Sequence, residues 1–540
     1  LKFASTQNPE PVTILIAEPL AEAAVALLRS QPGWNVVVSS PKEYASHLAE
    51  ADALIVRSAV QVNQSVLEKA PKLRVIGRAG VGVDNVDLEA ATAAGVLVMN
   101  TPGGNAISVA EHTLALMLAM ARHVPEATVS TTGGKWEKKK FMGSELRGKS
   151  LGIVGLGSIG REVVKRARAF EMRVIAHDPY VTSQLAKDLG VQLVDLATLY
   201  AESDYLTLHV ALTPETDHML SHDAFARMKP GVRIVNCARG ELIDEEALRQ
   251  AIDSGKVASA ALDVFPVEPP PAGYALFAGS KVLATPHIGG STEEAQEIVG
   301  VRIAEQVVEY LQNGVALNAV NMPALSPELY RALSPYINMA QRLGNFAAYI
   351  AAGHPRTVRL AYFGRIAENN TTLLRNAGLA GLLNRSVSER ANLINAMQIA
   401  VQRGWNLAER HEARSGHTDS IRLELETDSG VTVVEGAVLL GNPRLIQVDG
   451  IYCEAPLSGH LIFMKNHDVP GVIGHVGTVL GRNNINIANF SLGRGEVPAA
   501  PGEAMEAVAV VSTDDVVPEH VLQQLRENPA VKLARSVEFG

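Results

Sequence analysis

The sequence predicts an α/β protein: two doubly wound parallel-sheet units, an α+β region, and a small four-stranded module at the end. Three observations carry this. Short apolar runs alternate with helix-like stretches in two successive series. A Pro- and Asn-rich stretch over residues 318–335 interrupts the alternation and predicts a linker. Beyond it the pattern becomes paired strands, closing on a strand–helix–strand–strand–helix–strand order.

In the first series, residues 12–17, 54–56, 73–76 and 96–99 read as buried strands, with helices over 20–28 and 88–94. Asn100-Thr101-Pro102-Gly103-Gly104 breaks the chain before one long helix over 105–122. The second series runs through strands at 150–154, 173–177, 205–209, 233–236, 258–262 and 281–284, and ends in a long helix over 291–311. After the linker, 336–352 and 391–402 read as helices. Strands at 421–426 and 431–439 flank the turn Thr427-Asp428-Ser429-Gly430. The final module reads as strands at 461–465, 485–492, 504–512 and 531–538, with helices over 472–481 and 518–526, a ferredoxin-like order.

A chain of 540 residues suits about three or four domains. Its net charge of −9 argues against nucleic acid as a partner, and an anionic substrate would need arginines gathered locally. The two cysteines, Cys237 and Cys453, form neither a disulfide framework nor a zinc site, so a reducing compartment and no metal are expected. No run approaches the ~20 apolar residues of a membrane span. Residues 1–11 are polar and Pro-containing, without a signal-peptide core. The expected location is the cytoplasm, or an organelle stroma such as the plastid's if a transit peptide has been removed.

Gly155-Leu156-Gly157-Ser158-Ile159-Gly160 follows a predicted strand and opens a predicted helix. Glycines there permit a tight turn and let backbone approach a pyrophosphate, while the helix N-terminus offers free N–H groups to the anion. Asp178 stands at the end of the next strand, roughly 20 positions on, where a carboxylate accepts ribose hydroxyls and repels a 2′-phosphate. The pattern is Rossmann-like and favours NAD.

Three further residues follow successive strands of the same unit: Arg239 in Asn236-Cys237-Ala238-Arg239-Gly240, Glu268 before Pro269, and His287 after Pro286. Ligands of doubly wound sheets bind beyond the carboxyl ends of strands. Oxidising a hydroxy acid needs a base for the hydroxyl proton, and imidazole is suited to that work. A carboxylate such as Glu268 orients the imidazole, and Arg239 can clamp a substrate carboxylate with two hydrogen bonds.

These motifs, with Gly77-Arg78-Ala79-Gly80-Val81-Gly82-Val83-Asp84-Asn85-Val86-Asp87, Pro286–Thr292 and Gly134-Lys135-Trp136, closely resemble the D-isomer-specific 2-hydroxyacid dehydrogenases. Within that family the likeness is to the long-form branch that begins phosphorylated serine biosynthesis. The resemblance implies a nucleotide domain inserted into a substrate domain: 1–108 with 295–322 for substrate, 109–294 for NAD, then an intervening regulatory domain at 323–456 and an ACT domain at 457–540. The implied reaction takes 3-phosphoglycerate and NAD to 3-phosphohydroxypyruvate and NADH. By resemblance Arg57, Ser58, Arg78, Asn105 and Arg239 contact substrate. Gly155, Gly157, Ser158, Ile159, Gly160, Asp178, Val210, Cys237, Ala238, Arg239, Asp263, His287, Gly289, Gly290 and Val81 line the cofactor. Lys138-Lys139-Lys140 reads as a solvated face or a substrate contact across a dimer.

ACT domains pair edge to edge and often bind serine between subunits; by motif position the effector residues are Asn466, Asp468 and Asn486. A homo-oligomer, a tetramer, is implied. Alternatives are another enzyme of the family, such as a glyoxylate or hydroxypyruvate reductase, and an NADH-sensing corepressor with the dehydrogenase fold. Neither accounts for the ACT-like tail.

Overall fold

The computed structural model describes residues 11–279, 281–385, 391–413, 418–496 and 504–539. The polar N-terminal stretch read in the sequence lies outside them but for Pro11.

The first sheet has five strands in the order Trp34–Val38, Val12–Ile16, Ala53–Val56, Val75–Arg78, Leu97–Met99, all paired in parallel. The second has seven: Val282–Ala284, Val257–Leu262, Val232–Asn236, Tyr205–Leu208, Ser150–Val154, Arg173–His177, Gln192–Leu193. Its pairs are also parallel. Both are doubly wound. The strand order reverses beside Val12–Ile16 in one and beside Ser150–Val154 in the other, which places a ligand crevice at each carboxyl rim. Central strands are buried on both faces, which is why they read as unbroken apolar runs. Trp34–Val38 escaped the sequence reading because its run Val36-Val37-Val38 is short and the strand is a half-exposed edge.

Two long helices link the sheets. Ala106–Arg122 buries Val109, Ala110, Leu114 and Met117 in one core with Leu151, Ile153 and Val163 of the second unit. Glu293–Asn313 returns, packing Val299, Ile303, Ala304 and Val307 with Ile14, Ile16, Val75 and Leu97 of the first. Thr292 caps it by accepting from the Ala295 N–H.

The linker expected at 318–335 is corrected at both ends. Val320 N–H donates to the Val98 carbonyl at 2.8 Å. Asn321 accepts from Val98 N–H at 2.9 Å and donates to the Val96 carbonyl at 2.9 Å, so this stretch finishes the edge of the first sheet. The helix expected at 336–352 starts earlier and spans Pro327–Ile350, with Pro335 inside it. Ser326 caps that helix and Pro327 occupies its first turn, where its missing N–H costs nothing. Prolines read as breakers are here a start signal.

The region that follows is a six-stranded sheet in the order Asn406–Glu412, Pro355–Phe363, Ser420–Thr427, Gly430–Leu439, Asn442–Val448, Ile451–Pro456. Helices Pro327–Ile350 and Thr372–Leu383 cross closely in its core. A Cβ at Gly344 would run into the Gly378 carbonyl, and one at Gly381 into the Gln341 carbonyl. The helix expected at 391–402 is shorter, Ala396–Gln402. Residues ahead of it dock on the first unit instead, with Asn392 Nδ2 donating to the Gly95 carbonyl at 2.7 Å.

The terminal module has the expected order: strands Ile487–Arg494, Glu506–Thr513, His460–His467 and Val531–Glu538 side by side, with helices Val472–Arg482 and Glu519–Arg526. Arg535 donates to the carbonyls of Tyr349 (2.9 Å) and Ala351 (2.6 Å), satisfying the free end of helix Pro327–Ile350. Among the described residues no helix is long and apolar enough to cross a membrane.

Candidate active site

The carboxyl rims of the two parallel sheets face each other. Gly155, at φ +93°, turns the chain out of strand Ser150–Val154 into helix Ser158–Ala169, and a Cβ on Gly160 would strike the Gly155 carbonyl. A Cβ on Gly157 would meet nothing within 4 Å, so the approach to the helix N-terminus is open. Asp178 ties this turn to the next strand, accepting from Leu156 N–H at 2.7 Å and Tyr180 N–H at 2.9 Å. Open glycine backbone, a helix start and a carboxylate beside it fit a dinucleotide. Ser158 and Ile159 open the helix; Val210 follows strand Tyr205–Leu208, and Cys237 and Ala238 follow strand Val232–Asn236. Burial pushes the Cys237 thiol up to about 12, so it stays protonated and unreactive.

His287 and Glu268 meet as expected. His287 Nδ1 lies 2.8 Å from Glu268 Oε2, and Glu268 Oε1 accepts from Phe265 N–H at 3.0 Å. A carboxylate only accepts, so Nδ1 is the donor and Nε2 is free for chemistry. His287 holds φ +52°, unusual for a side chain of its size, and its N–H donates to the Asp263 carbonyl at 2.9 Å.

Asp263 is 1% exposed and lies behind this loop. Its carboxylate accepts from Thr285 Oγ1 (2.6 Å), Ile288 N–H (2.9 Å) and Gly289 N–H (2.8 Å), with His112 Nε2 at 3.3 Å. Burial works to raise its carboxyl, and these donors outweigh it and hold the group below the usual range. Gly290 abuts the Asn105 side chain.

Arg239 is set by Asn236, fully buried, which donates to the Arg239 carbonyl at 2.7 Å and accepts from Ala238 N–H at 3.0 Å. Its guanidinium forms a two-point pair with Asp84 of the first unit, at 3.2 and 2.8 Å. Burial opposes ionisation of Asp84, but Arg239 prevails and lowers its carboxyl. Asp84 lies inside the glycine-rich stretch read in the sequence, yet nothing there signals a partner 155 positions away.

Arg57 follows strand Ala53–Val56 and Arg78 ends the adjacent strand Val75–Arg78, on the facing rim. The loop carrying Arg57 and Ser58 is pinned by buried Glu18, which accepts from the N–H groups of Arg57 (2.8 Å), Ala59 (3.1 Å) and Val60 (3.0 Å). Asn85 pins it from the other side, donating to the Arg57 and Val60 carbonyls. Burial first, and Arg239 second, press the Arg78 guanidinium downward. Val81 sits beside it and accepts from Asn100 Nδ2 at 2.6 Å.

Among the described residues, four buried polar atoms at these rims lack a partner: Arg78 Nε, Thr101 Oγ1, Asn105 Oδ1 and His209 Nδ1. Burial drives His209 down to about 3, so it is neutral. These four leave hydrogen-bonding capacity that a polar ligand at the rims could use. His209, Asp84 and Glu18 were not singled out from the sequence.

In the terminal module, Asn466, Asp468 and Arg494 line a pocket of ≈ 360 Å³. Asp468 pairs with Arg494 at 3.1 Å, and Asn466 Oδ1 is buried without a partner. Asn486 lies apart from them, donating to Asp514 at 2.8 Å.

Three family models match the chain. Residues 114–289 match the D-isomer specific 2-hydroxyacid dehydrogenase NAD binding domain, 332–449 the D-3-phosphoglycerate dehydrogenase intervening domain, and 460–530 the ACT domain. The chain is 43% identical over 523 residues to the D-3-phosphoglycerate dehydrogenase of Methanocaldococcus jannaschii, covering 96% of this chain and 98% of that one. It is 40% identical to the chloroplastic D-3-phosphoglycerate dehydrogenase 3 of Arabidopsis thaliana, covering 96% and 91%. The solved D-lactate dehydrogenase of Aquifex aeolicus, complexed with NAD and lactic acid, superposes with a TM-score of 0.51 at 27% identity, covering 58% of this chain and 100% of that one.

Proposed function

The chain belongs to the D-3-phosphoglycerate dehydrogenase family, and from that premise we propose that it oxidises 3-phosphoglycerate to 3-phosphohydroxypyruvate with NAD. The single observation that carries the reading is the facing of two charge sets across one cleft: His287, Glu268 and Arg239 on the nucleotide side, Arg57 and Arg78 on the other. Bound NAD supplies the hydride acceptor. His287 takes the C2 hydroxyl proton at Nε2, and Glu268 stabilises the imidazolium that results. Arg239, exchanging its Asp84 pair for substrate, clamps the carboxylate and polarises the C2 oxygen, and Arg57 and Arg78 meet the phosphate. Ser58 and Asn105 add hydrogen bonds to substrate.

We assign 1–108 with 295–322 to substrate, 109–294 to NAD, and 323–456 and 457–540 to regulation. The module matching the ACT domain takes L-serine at Asn466 and Asp468, and the chain works as a homotetramer. The cytoplasm or a plastid stroma is its compartment; the chloroplastic relative supports the latter. A substrate panel tests this. With NADH, 3-phosphohydroxypyruvate should turn over in preference to glyoxylate and pyruvate, and serine should lower the rate. No preference for the phosphorylated acid would overturn the assignment. Indifference to serine would overturn the effector reading alone.

A further inference from the structure

His112 stands apart from the residues that touch substrate. It lies on Ala106–Arg122, the helix that carries the chain from the first unit into the second. Its Nε2 is 3.1 Å from Thr285 Oγ1 and 3.3 Å from Asp263 Oδ1. Thr285 Oγ1 is itself 2.6 Å from Asp263 Oδ1. The carboxylate only accepts, so the threonine hydroxyl gives its proton to Asp263 and leaves its oxygen to accept. Both neighbours of His112 Nε2 are then acceptors, and that nitrogen carries a proton.

Cys237 completes a cluster in which the donor atoms of His112, Cys237 and Asp263 lie within 4.8 Å of one another. A cation there would need a thiolate and free carboxylate lone pairs. The thiol is buried, and Asp263 already receives Thr285, Ile288 and Gly289. The cluster is therefore a hydrogen-bonded buttress. It supports residues 285–289 from behind, and His287 sits in that stretch at positive φ, a conformation the surroundings must enforce.

We propose that His112 is a positioning residue for His287, fixing the base's loop through Thr285 and Asp263 and tying its setting to the helix that joins the two units. The proposal rests on the dehydrogenase reading above. It differs from a purely structural role in where its loss is felt. A base displaced by a fraction of an ångström slows proton removal, while Asp263 keeps the Ile288 and Gly289 N–H groups and the glycine turn and Asp178, on the far strands, keep their geometry, so the hold on the dinucleotide survives.

The test compares the wild type with His112→Phe and His112→Gln in the full-length protein. Gln can return one N–H donor, whereas Phe cannot. Initial rates are measured with 3-phosphoglycerate and its C2-deuterated form, and NADH binding is followed by fluorescence. His112→Phe should lower kcat by roughly 10–100-fold. The primary deuterium effect on kcat should rise as chemistry becomes limiting, and the NADH dissociation constant should stay within about 3-fold. His112→Gln should recover most of the rate. Wild-type kcat and isotope effect in His112→Phe would overturn the proposal, as would a loss confined to NADH binding. Should His112→Phe lose its melting transition, Thr285→Val cuts the same relay from the other end and carries the same expectation; a wild-type rate there would overturn it. An inactive wild type would instead remove the dehydrogenase reading, so the two failures are distinguishable.

Discussion

Replacing Glu268 by Gln tests the proton-transfer chemistry most directly. The carboxylate accepts His287 Nδ1–H at 2.8 Å. The amide keeps its shape and an acceptor oxygen, so the imidazole stays oriented and only the charge is lost. A hydrogen bond to a charged group contributes about 1.5–3 kcal/mol and a neutral one about 0.5–1.5 kcal/mol. The two side chains are 51% and 37% exposed, so solvent screens part of the difference. About 1–1.5 kcal/mol remains, which is roughly a 5–13-fold fall in rate. The ion pair exists only after the proton has reached His287, so the loss belongs to kcat, with KM for both substrates within about 2-fold. Glu268→Ala also removes the Phe265 N–H bond that anchors the loop, and should cost about 100-fold. The assay is initial-rate NADH formation at saturating NAD and 3-phosphoglycerate. Wild-type kcat in both variants would refute the pairing as catalytic, and a loss carried wholly by KM would refute its assignment to proton transfer.

Asp178→Ala should raise KM for NAD by about 10-fold and narrow the preference over NADP, because the 2′-phosphate is no longer repelled; an unchanged NAD/NADP ratio of kcat/KM would contradict this. Gly344→Ala drives a methyl into the Gly378 carbonyl and should destabilise the protein by about 1–3 kcal/mol. Calorimetry should show a lower melting transition, and an unaltered one would contradict the close helix crossing. Burial raises the thiols of Cys237 and Cys453 to about 12 and about 11. At most about one thiol in 1000 is ionised at pH 8, so iodoacetamide should label neither until the protein unfolds. Labelling of the native chain would show that these sites open.

The two parallel sheets were legible because a strand buried on both faces leaves an unbroken apolar run, as at Val12–Ile16 and Ser150–Val154. The run Val36-Val37-Val38 is short and sits on a half-exposed edge strand, a weaker trace, which is why Trp34–Val38 was missed. Pro327 and Pro335 misled for a different reason: a proline behind a serine cap opens a helix as readily as it ends one. Most of the six-stranded sheet was also unread: Asn406–Glu412 is largely exposed, and Pro355–Phe363, Asn442–Val448 and Ile451–Pro456 bury only scattered positions and so leave no apolar run. In the site, the glycine turn and the His287–Glu268 pair could be anticipated from motif and strand order. Asp84 and His112 could not. The partners Arg239 of Asp84 and Thr285 of His112 are 155 and 173 positions away, and no local pattern records which two segments will meet.

The return of the chain to its first sheet also sets a timetable. Val98 and the Asn321 side chain that satisfies it are 223 positions apart. On a ribosome adding about 5–20 residues per second, the first unit waits roughly 10–45 s for the segment that finishes it. During that interval Ile14, Ile16, Val75 and Leu97 lack their cover from Glu293–Asn313. The seven-stranded sheet suffers no such delay, since all its strands are contiguous in the nascent chain. The nucleotide unit can thus close on the nascent chain before the unit that begins it is complete.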